Sequence, residues 1–188
     1  MPTSQRQTSS PADAWHAEHV YFGKLLRLLQ REVDVFHAGE RPNYELMLDV
    51  ISYLRDFADL FHHPREDVAF ARLARRCPEL ELALARLRQE HGVIAQAGET
   101  LRRLLTEVVD GALIKRADLE MAAAMYLVYY GNHIAKEEED VVDRAAQLLS
   151  AEDWEAVRAA VPAQRDPLFG DTPDQRYRAL RHLIATAG

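Results

Sequence analysis

Apolar residues recur along this chain at spacings of three, four and seven, the mark of helices with one buried face. Trp15, Phe22, Leu26, Leu29 and Val33 define a helix over 14–37, with Asp13 as its cap. Residues 37–42 (HAGERP) form the first break. A second helix over 43–75 turns Met47, Ile51, Leu54, Ala58 and Phe61 inward. Pro64 falls inside it; proline lacks the backbone donor and crowds the preceding turn, which predicts a kink or bulge. Cys77-Pro78 is the second break. A third helix over 79–110 carries Leu80, Leu84, Leu87, Ile94, Leu101 and Leu105, and Gly111 closes it. A fourth helix over 117–149 carries Ala122, Met125, Tyr126, Tyr129 and Tyr130 ahead of an acidic stretch. Ser150 caps a short fifth helix, with Asp153 in the capping-box position. A loop follows over 161–171, and Thr172-Pro173 opens a last helix to 186. The pattern predicts an all-α protein: an antiparallel up-down-up-down four-helix bundle over 13–149, a C-terminal helical extension over 150–188, and a polar, disordered tail over 1–12.

Composition narrows the class. The chain has 188 residues, enough for one domain with a real core. Glycine and proline number only 8 each, which suits helices. The formal net charge of −7 comes from acidic and basic residues mixed along the chain, with no Lys/Arg block, which argues against nucleic acid as a partner. Cys77 is the sole cysteine, so it makes no intrachain disulfide and no thiolate cage. The N-terminal residues lack an apolar run, and no stretch has the length of a membrane span, so a cytoplasmic location is expected.

Two half-motifs carry the chemistry. FHHPREDVAF lies on the second helix and NHIAKEEEDVV on the fourth. Each sets a histidine four residues before a glutamate: His62 with Glu66, and His133 with Glu137. Residues four apart share a helix face one turn apart, so each pair can offer an imidazole and a carboxylate to one metal or to two adjacent metals. Imidazole suits iron, zinc and copper, while carboxylates favour iron or manganese. His19 and His91 lie on the other two helices. With turns near residues 40, 77 and 113, His19 and His62 stand about 21 and 22 residues either side of the first, and His91 lies about 14 after the second. His91 is also about 22 residues before the third turn, with His133 and Glu137 about 20 and 24 after it. All four helices therefore offer ligands to one slab of the core.

The order His, His-x-x-x-Glu, His, His-x-x-x-Glu resembles the hemerythrin-like (HHE cation-binding) family over residues 15–148. The resemblance implies a non-haem di-iron site with an oxygen species bridging the irons. Glu66 and Glu137 would bridge the metals, and His19, His62, His91 and His133 would be terminal ligands. It also implies reaction with dioxygen, peroxide or nitric oxide in sensing, detoxification or iron handling. One departure stands out. The oxygen-carrying members have a second histidine on the third helix where this chain has Ala95, and His-x-x-x-x-Asp on the last helix where this chain has His-x-x-x-Glu. The expectation is a missing nitrogen ligand at one iron, which argues against simple reversible oxygen carriage. Two other readings stand beside this one: a di-iron enzyme with peroxidase- or catalase-like or nitric oxide-handling activity, and an iron-storage, iron-repair or zinc-binding protein without oxygen chemistry. Manganese is a further candidate ion.

Several neighbours are assigned lesser roles. Matching the two half-motifs selects His62 over His63, which is left at the rim. His16 reads as a surface or capping residue, and Glu18, Glu90, Glu138, Glu139 and Asp140 as solvated. Tyr126 and Tyr130, on the same side as His133, read as core aromatics that could also hydrogen-bond a small ligand. His37 and His182 read as structural. The extension either packs on the bundle or forms a homodimer contact.

Overall fold

The computed structural model describes residues 10–162 and 164–186, and every regular element among them is helical. The predicted tail lies largely in residues 1–9, outside the described residues. Helix α1 (Pro11–His37) starts earlier than expected. Its cap is Ser10, whose hydroxyl accepts from Asp13 N–H while Asp13 accepts from Ser10 N–H; Asp13 is the reciprocal partner of the cap and not the cap itself. Gly39 follows with φ 82°, placing Glu40 N–H on Val35 O and Gly39 N–H on Phe36 O, a closure that needs the left-handed conformation.

The second long segment contains α2 (Tyr44–Tyr53), a π-helical stretch over Leu54–His62 and α3 (His63–Arg76). The widened turns come just before Pro64, and His63 N–H bonds five residues back to Ala58 O. Proline at 64 can donate to nothing and would crowd a regular turn, and the extra residue relieves that conflict. A short 3-10 turn (Pro78–Leu80) leads into α4 (Glu81–Val109). Gly111, at φ 87°, closes α4 with Ala112 N–H on Glu107 O and Gly111 N–H on Val108 O.

The predicted fourth helix is divided. Helix α5 (Arg116–Asp140) ends at Val141, where φ is −115°, and α6 (Val142–Leu148) continues. Two consecutive β-branched residues, Val141 and Val142, are buried at this break. Met125 and Tyr129 face outward, while Ala122, Tyr126 and Tyr130 face the core. Ser150 and Asp153 form the capping box of α7 (Ala151–Arg158). Thr172 and Pro173 open no helix. The Thr172 carbonyl accepts from Arg165 at 2.7 Å and Asp174 N–H bonds Pro167 O at 2.8 Å, which folds the segment into a loop. A 3-10 turn (Gln175–Tyr177) and α8 (Arg178–Thr186) follow.

Helix α1 packs on α2 and α5, α2 on α4, and α4 on α5, while α7 lies on α3 and α8 on α1 and α2. The extension therefore packs back on the long helices. Arg72 on α3 donates to Asp153 on α7 at 2.9 Å, and Tyr53 O–H donates to Asp166 at 3.0 Å.

The long helices cross from one apolar cluster to another through a polar layer. One cluster holds Phe22, Leu54, Ile94 and Tyr130; the other holds Trp15, Phe70, Leu87 and Val141. Between them lie His19 on α1, His62, His63 and Glu66 around the π-helical stretch, His91 on α4, and His133 and Glu137 on α5. A buried layer of ionisable groups costs free energy unless something inside it matches their charge. Among the described residues no helix is long and apolar enough to cross a membrane.

Candidate metal centre

The α1 helix brings His19 inward because Trp15 and Phe22, one turn either side, are both buried. The π-helical stretch does the same for two consecutive histidines. In a regular helix, neighbours point about 100° apart; here His62 and His63 are both buried, and Glu66 lies beneath them. The four-residue spacing of His133 and Glu137 on α5 puts their Nε2 and Oε1 atoms 3.0 Å apart.

The inward atoms form two groups. In the first, His19 Nε2 lies 3.1 Å from His62 Nε2 and 3.1 Å from Glu66 Oε1, with His62 Nε2 2.7 Å from the same oxygen. Glu137 Oε2 stands 3.4 Å from His19 Nε2. In the second, His63, His91 and His133 gather with Glu66, their ligand atoms mutually within 4.8 Å. Glu66 Oε2 is 3.3 Å from His91 Nε2, and Glu137 Oε1 is 3.7 Å from the same nitrogen. Each carboxylate thus puts one oxygen toward each group.

Four of the imidazoles are bonded from behind by a half-buried carboxylate, and the fifth, His63, has a more deeply buried one nearby. His19 Nδ1 meets Glu138 at 2.5 Å, His62 Nδ1 meets Glu18 at 2.5 Å and His91 Nδ1 meets Asp67 at 2.9 Å. His133 Nδ1 lies 3.2 Å from Glu90, and His63 Nδ1 lies 3.2 Å from Asp59. A carboxylate on Nδ1 fixes the proton there and leaves Nε2 as a lone-pair donor, which is how metal-binding histidines are oriented. The inward atoms show the corresponding deficit. Nε2 of His63, His91 and His133, Oε2 of Glu66 and both Glu137 oxygens are buried without a hydrogen-bond partner among the described residues. The residues present fit a bound cation: the unpartnered atoms are ones a metal ion would contact, most of them in the second group. In the first, His19 Nε2 also lies 3.1 Å from each of Trp15 Nε1, His62 Nε2 and Glu66 Oε1.

Proton affinities follow from the same contacts. Burial alone would depress His19, but Glu138 and Glu66 outweigh it and raise the imidazole to about 10. His91 is depressed by burial, then raised by Asp67, Glu137 and Glu66 to about 11. His63 moves the other way, pushed down by burial despite its contact with Asp59. Burial pushes Glu66 and Glu137 up, and for Glu137 the Glu66 charge does so too, yet the surrounding imidazoles hold both below the ordinary carboxylate range. Without a metal, protons on imidazoles supply the cationic charge that the carboxylates require.

The six residues His19, His62, Glu66, His91, His133 and Glu137 converge on this layer, and His63 joins them, contrary to its expected place at the rim. Its ring stacks on His91 at 4.3 Å. With His63 the second group has three imidazoles where two were expected. The adjacent histidines before a proline were the only sequence signal for it. Glu18, Glu90 and Glu138 are bonded to histidines and not simply solvated. Trp15 Nε1–H donates to Glu66 Oε1, a contact not foreseen. His16 stays at the surface, bonded to Glu138 at 2.7 Å. Tyr126 and Tyr130 are buried, with hydroxyls lacking a hydrogen-bond partner among the described residues, and the Tyr130 ring lies 5.7 Å from His63. Cys77 is buried in the apolar cluster with Phe70 and Leu84.

Helices converging buried imidazoles and carboxylates on one layer define a helical protein with a cation-binding core. The family model described as "Hemerythrin HHE cation binding domain" matches residues 10–145, and the chain belongs to this family. No curated protein and no solved structure matches the chain.

Proposed function

We propose that this chain is a non-haem di-iron protein that binds dioxygen, peroxide or nitric oxide in sensing, detoxification or iron handling. The observation that carries the reading is the orientation of five buried imidazoles, each with Nδ1 against an outer carboxylate and Nε2 turned toward Glu66 or Glu137. His19 and His62 would hold one ion and His63, His91 and His133 the other, with Glu66 and Glu137 spanning both. The long helices are read as an antiparallel up-down-up-down bundle, which puts the same slab of each against that pair. The proposed location is cytoplasmic.

Mixed imidazole and carboxylate donors favour iron, with manganese and zinc as competitors. An iron pair supplies redox change and a coordination position for a small oxidant. The chain's own part is to orient, insulate and tune. The outer carboxylates fix the imidazole tautomers, and Trp15 Nε1–H holds Glu66 in place. Phe22 and Phe70 wall the layer on two sides, with ring centroids 4.9 Å from His62 and 5.8 Å from His91, and keep water from those two faces. The Tyr130 ring lies 5.7 Å from that of His63, and its hydroxyl has no hydrogen-bond partner among the described residues.

The test is an optical one. Protein from iron-supplied cells is reduced without air and then exposed to it. A new visible absorption band that saturates with oxygen supports the reading. An iron-loaded protein whose spectrum ignores oxygen, peroxide and nitric oxide overturns the oxidant part, and a protein that takes up zinc but no iron overturns the rest.

A further inference from the structure

A cavity of about 310 Å³ opens beside the first imidazole pair, and it reaches His62 and Glu66. A diatomic oxidant requires nothing of this size; cavities of a few hundred cubic ångströms with mostly apolar walls and a few placed polar groups hold small organic molecules. Its apolar walls include Trp15, Trp154 and Val157. The two indoles meet edge to face, centroids 6.2 Å apart at 83°, an arrangement that offers an aromatic ring a further partner. Its polar side includes Arg65 and Arg158 together with Glu18, a carboxylate already bonded to His62 and Arg65. Arg65 commits Nε to Phe61 O and Nη2 to Glu18, and its Nη1 takes part in none of the described hydrogen bonds. Arg158 is paired with Glu155 one turn back, and both side chains are more than half exposed. Such pairs are weak and give way readily to a better acceptor. A guanidinium matches a carboxylate through two parallel hydrogen bonds.

We infer that this cavity is a binding site for a small aromatic carboxylate, its ring against Trp15 and Trp154 and its carboxylate toward Arg65 and Arg158. The inference deepens the metal-centre reading, and rests on it for what lies at the cavity's inner end. Trp154, Val157 and Arg158 all belong to α7, beyond the residues 10–145 that match the family model. The ligand class is accordingly a property of this chain's extension and not of the shared domain.

The chain has 2 tryptophans, and both line the cavity, so intrinsic indole emission reports its occupancy. The full-length protein as purified is titrated with benzoate and, separately, with benzamide, the uncharged analogue of similar shape. Saturable quenching by benzoate is expected, with benzamide at least about tenfold weaker if both arginines engage the charge. Arg158→Gln should weaken benzoate about tenfold and leave benzamide unchanged. Ala14→Phe, from an exposed position on the rim, should block both by filling the cavity. If circular dichroism shows Ala14→Phe to be unfolded, Arg158→Gln still decides. No saturable response to benzoate, equal binding of the two probes, or an unaffected Arg158→Gln overturns the proposal. Iron content is measured on the same samples. Iron without benzoate binding removes the organic ligand and keeps the metal centre, while benzoate binding without iron removes the metal reading.

Discussion

Asp67 is the most direct lever on the proposed centre that leaves the inward atoms untouched. Its Oδ1 accepts from His91 Nδ1 at 2.9 Å, and its side chain is one-third exposed on α3. Asp67→Ala removes that acceptor without opening a hole in either apolar cluster. The bond is also one of the contacts that raises His91 to about 11, so its loss lowers the basicity of Nε2 toward protons and metal alike. Losing an outer partner of a metal-binding histidine weakens metal affinity by roughly 10- to 100-fold, or about 1.4–2.8 kcal/mol. The assay is competition for iron(II) against a graded chelator under anaerobic conditions, with Glu139→Ala as the control. Glu139 is 72% exposed and pairs with Lys136 at 3.4 Å, so that variant should match the wild type. Asp67→Ala with wild-type affinity would refute the claim that the outer carboxylates tune this centre.

Other expectations follow from the same contacts. His63→Ala should lower iron content from two toward one per chain while helicity persists, because three imidazoles serve the second group only if His63 is among them; unchanged content returns His63 to a packing role. In the metal-free protein, His19 and His91 have raised proton affinities, so the stability they contribute is complete below their ordinary value of 6.5 and is lost as pH rises through about 10 to 11. Urea unfolding should show that decline, and stability that climbs over this range contradicts it. With metal the dependence reverses, since protons compete for the same nitrogens, and iron should be released on acidification. Gly98→Ala should destabilise by about 1–3 kcal/mol, as for overpacking in a filled core. Its Cβ would stand 2.7 Å from Arg55 Cδ and 2.9 Å from Tyr126 Cε2. A wild-type urea midpoint would show that Arg55 moves aside freely.

Much of this arrangement was legible in the chain. Four-residue spacings in His62–Glu66 and His133–Glu137, with His19 and His91 at matching depths, foretold which helices would converge and where. That reasoning assumes 3.6 residues per turn, and it fails where the helix departs from that value. The π-helical turns before Pro64 add a residue, and only then do His62 and His63 face the same layer. Long-range partners were hidden for a different reason. Glu138 bonds a histidine 119 positions away and Glu90 one 43 positions away, and helix-face arithmetic cannot say which neighbouring helix covers a half-buried carboxylate. At the N-terminal end the helix begins at Pro11, four residues before Trp15 opens the apolar pattern, so the cap falls on Ser10 and not on Asp13. Thr172-Pro173 had the form of a helix start, but Arg165 takes the Thr172 oxygens.

Two adjacent groups of imidazoles, joined by Glu66 and Glu137, would each hold one ion. Elemental analysis of the full-length protein from iron-supplied cells decides the point. Two irons per chain is the predicted result; a chain that carries only one iron, or none, contradicts it.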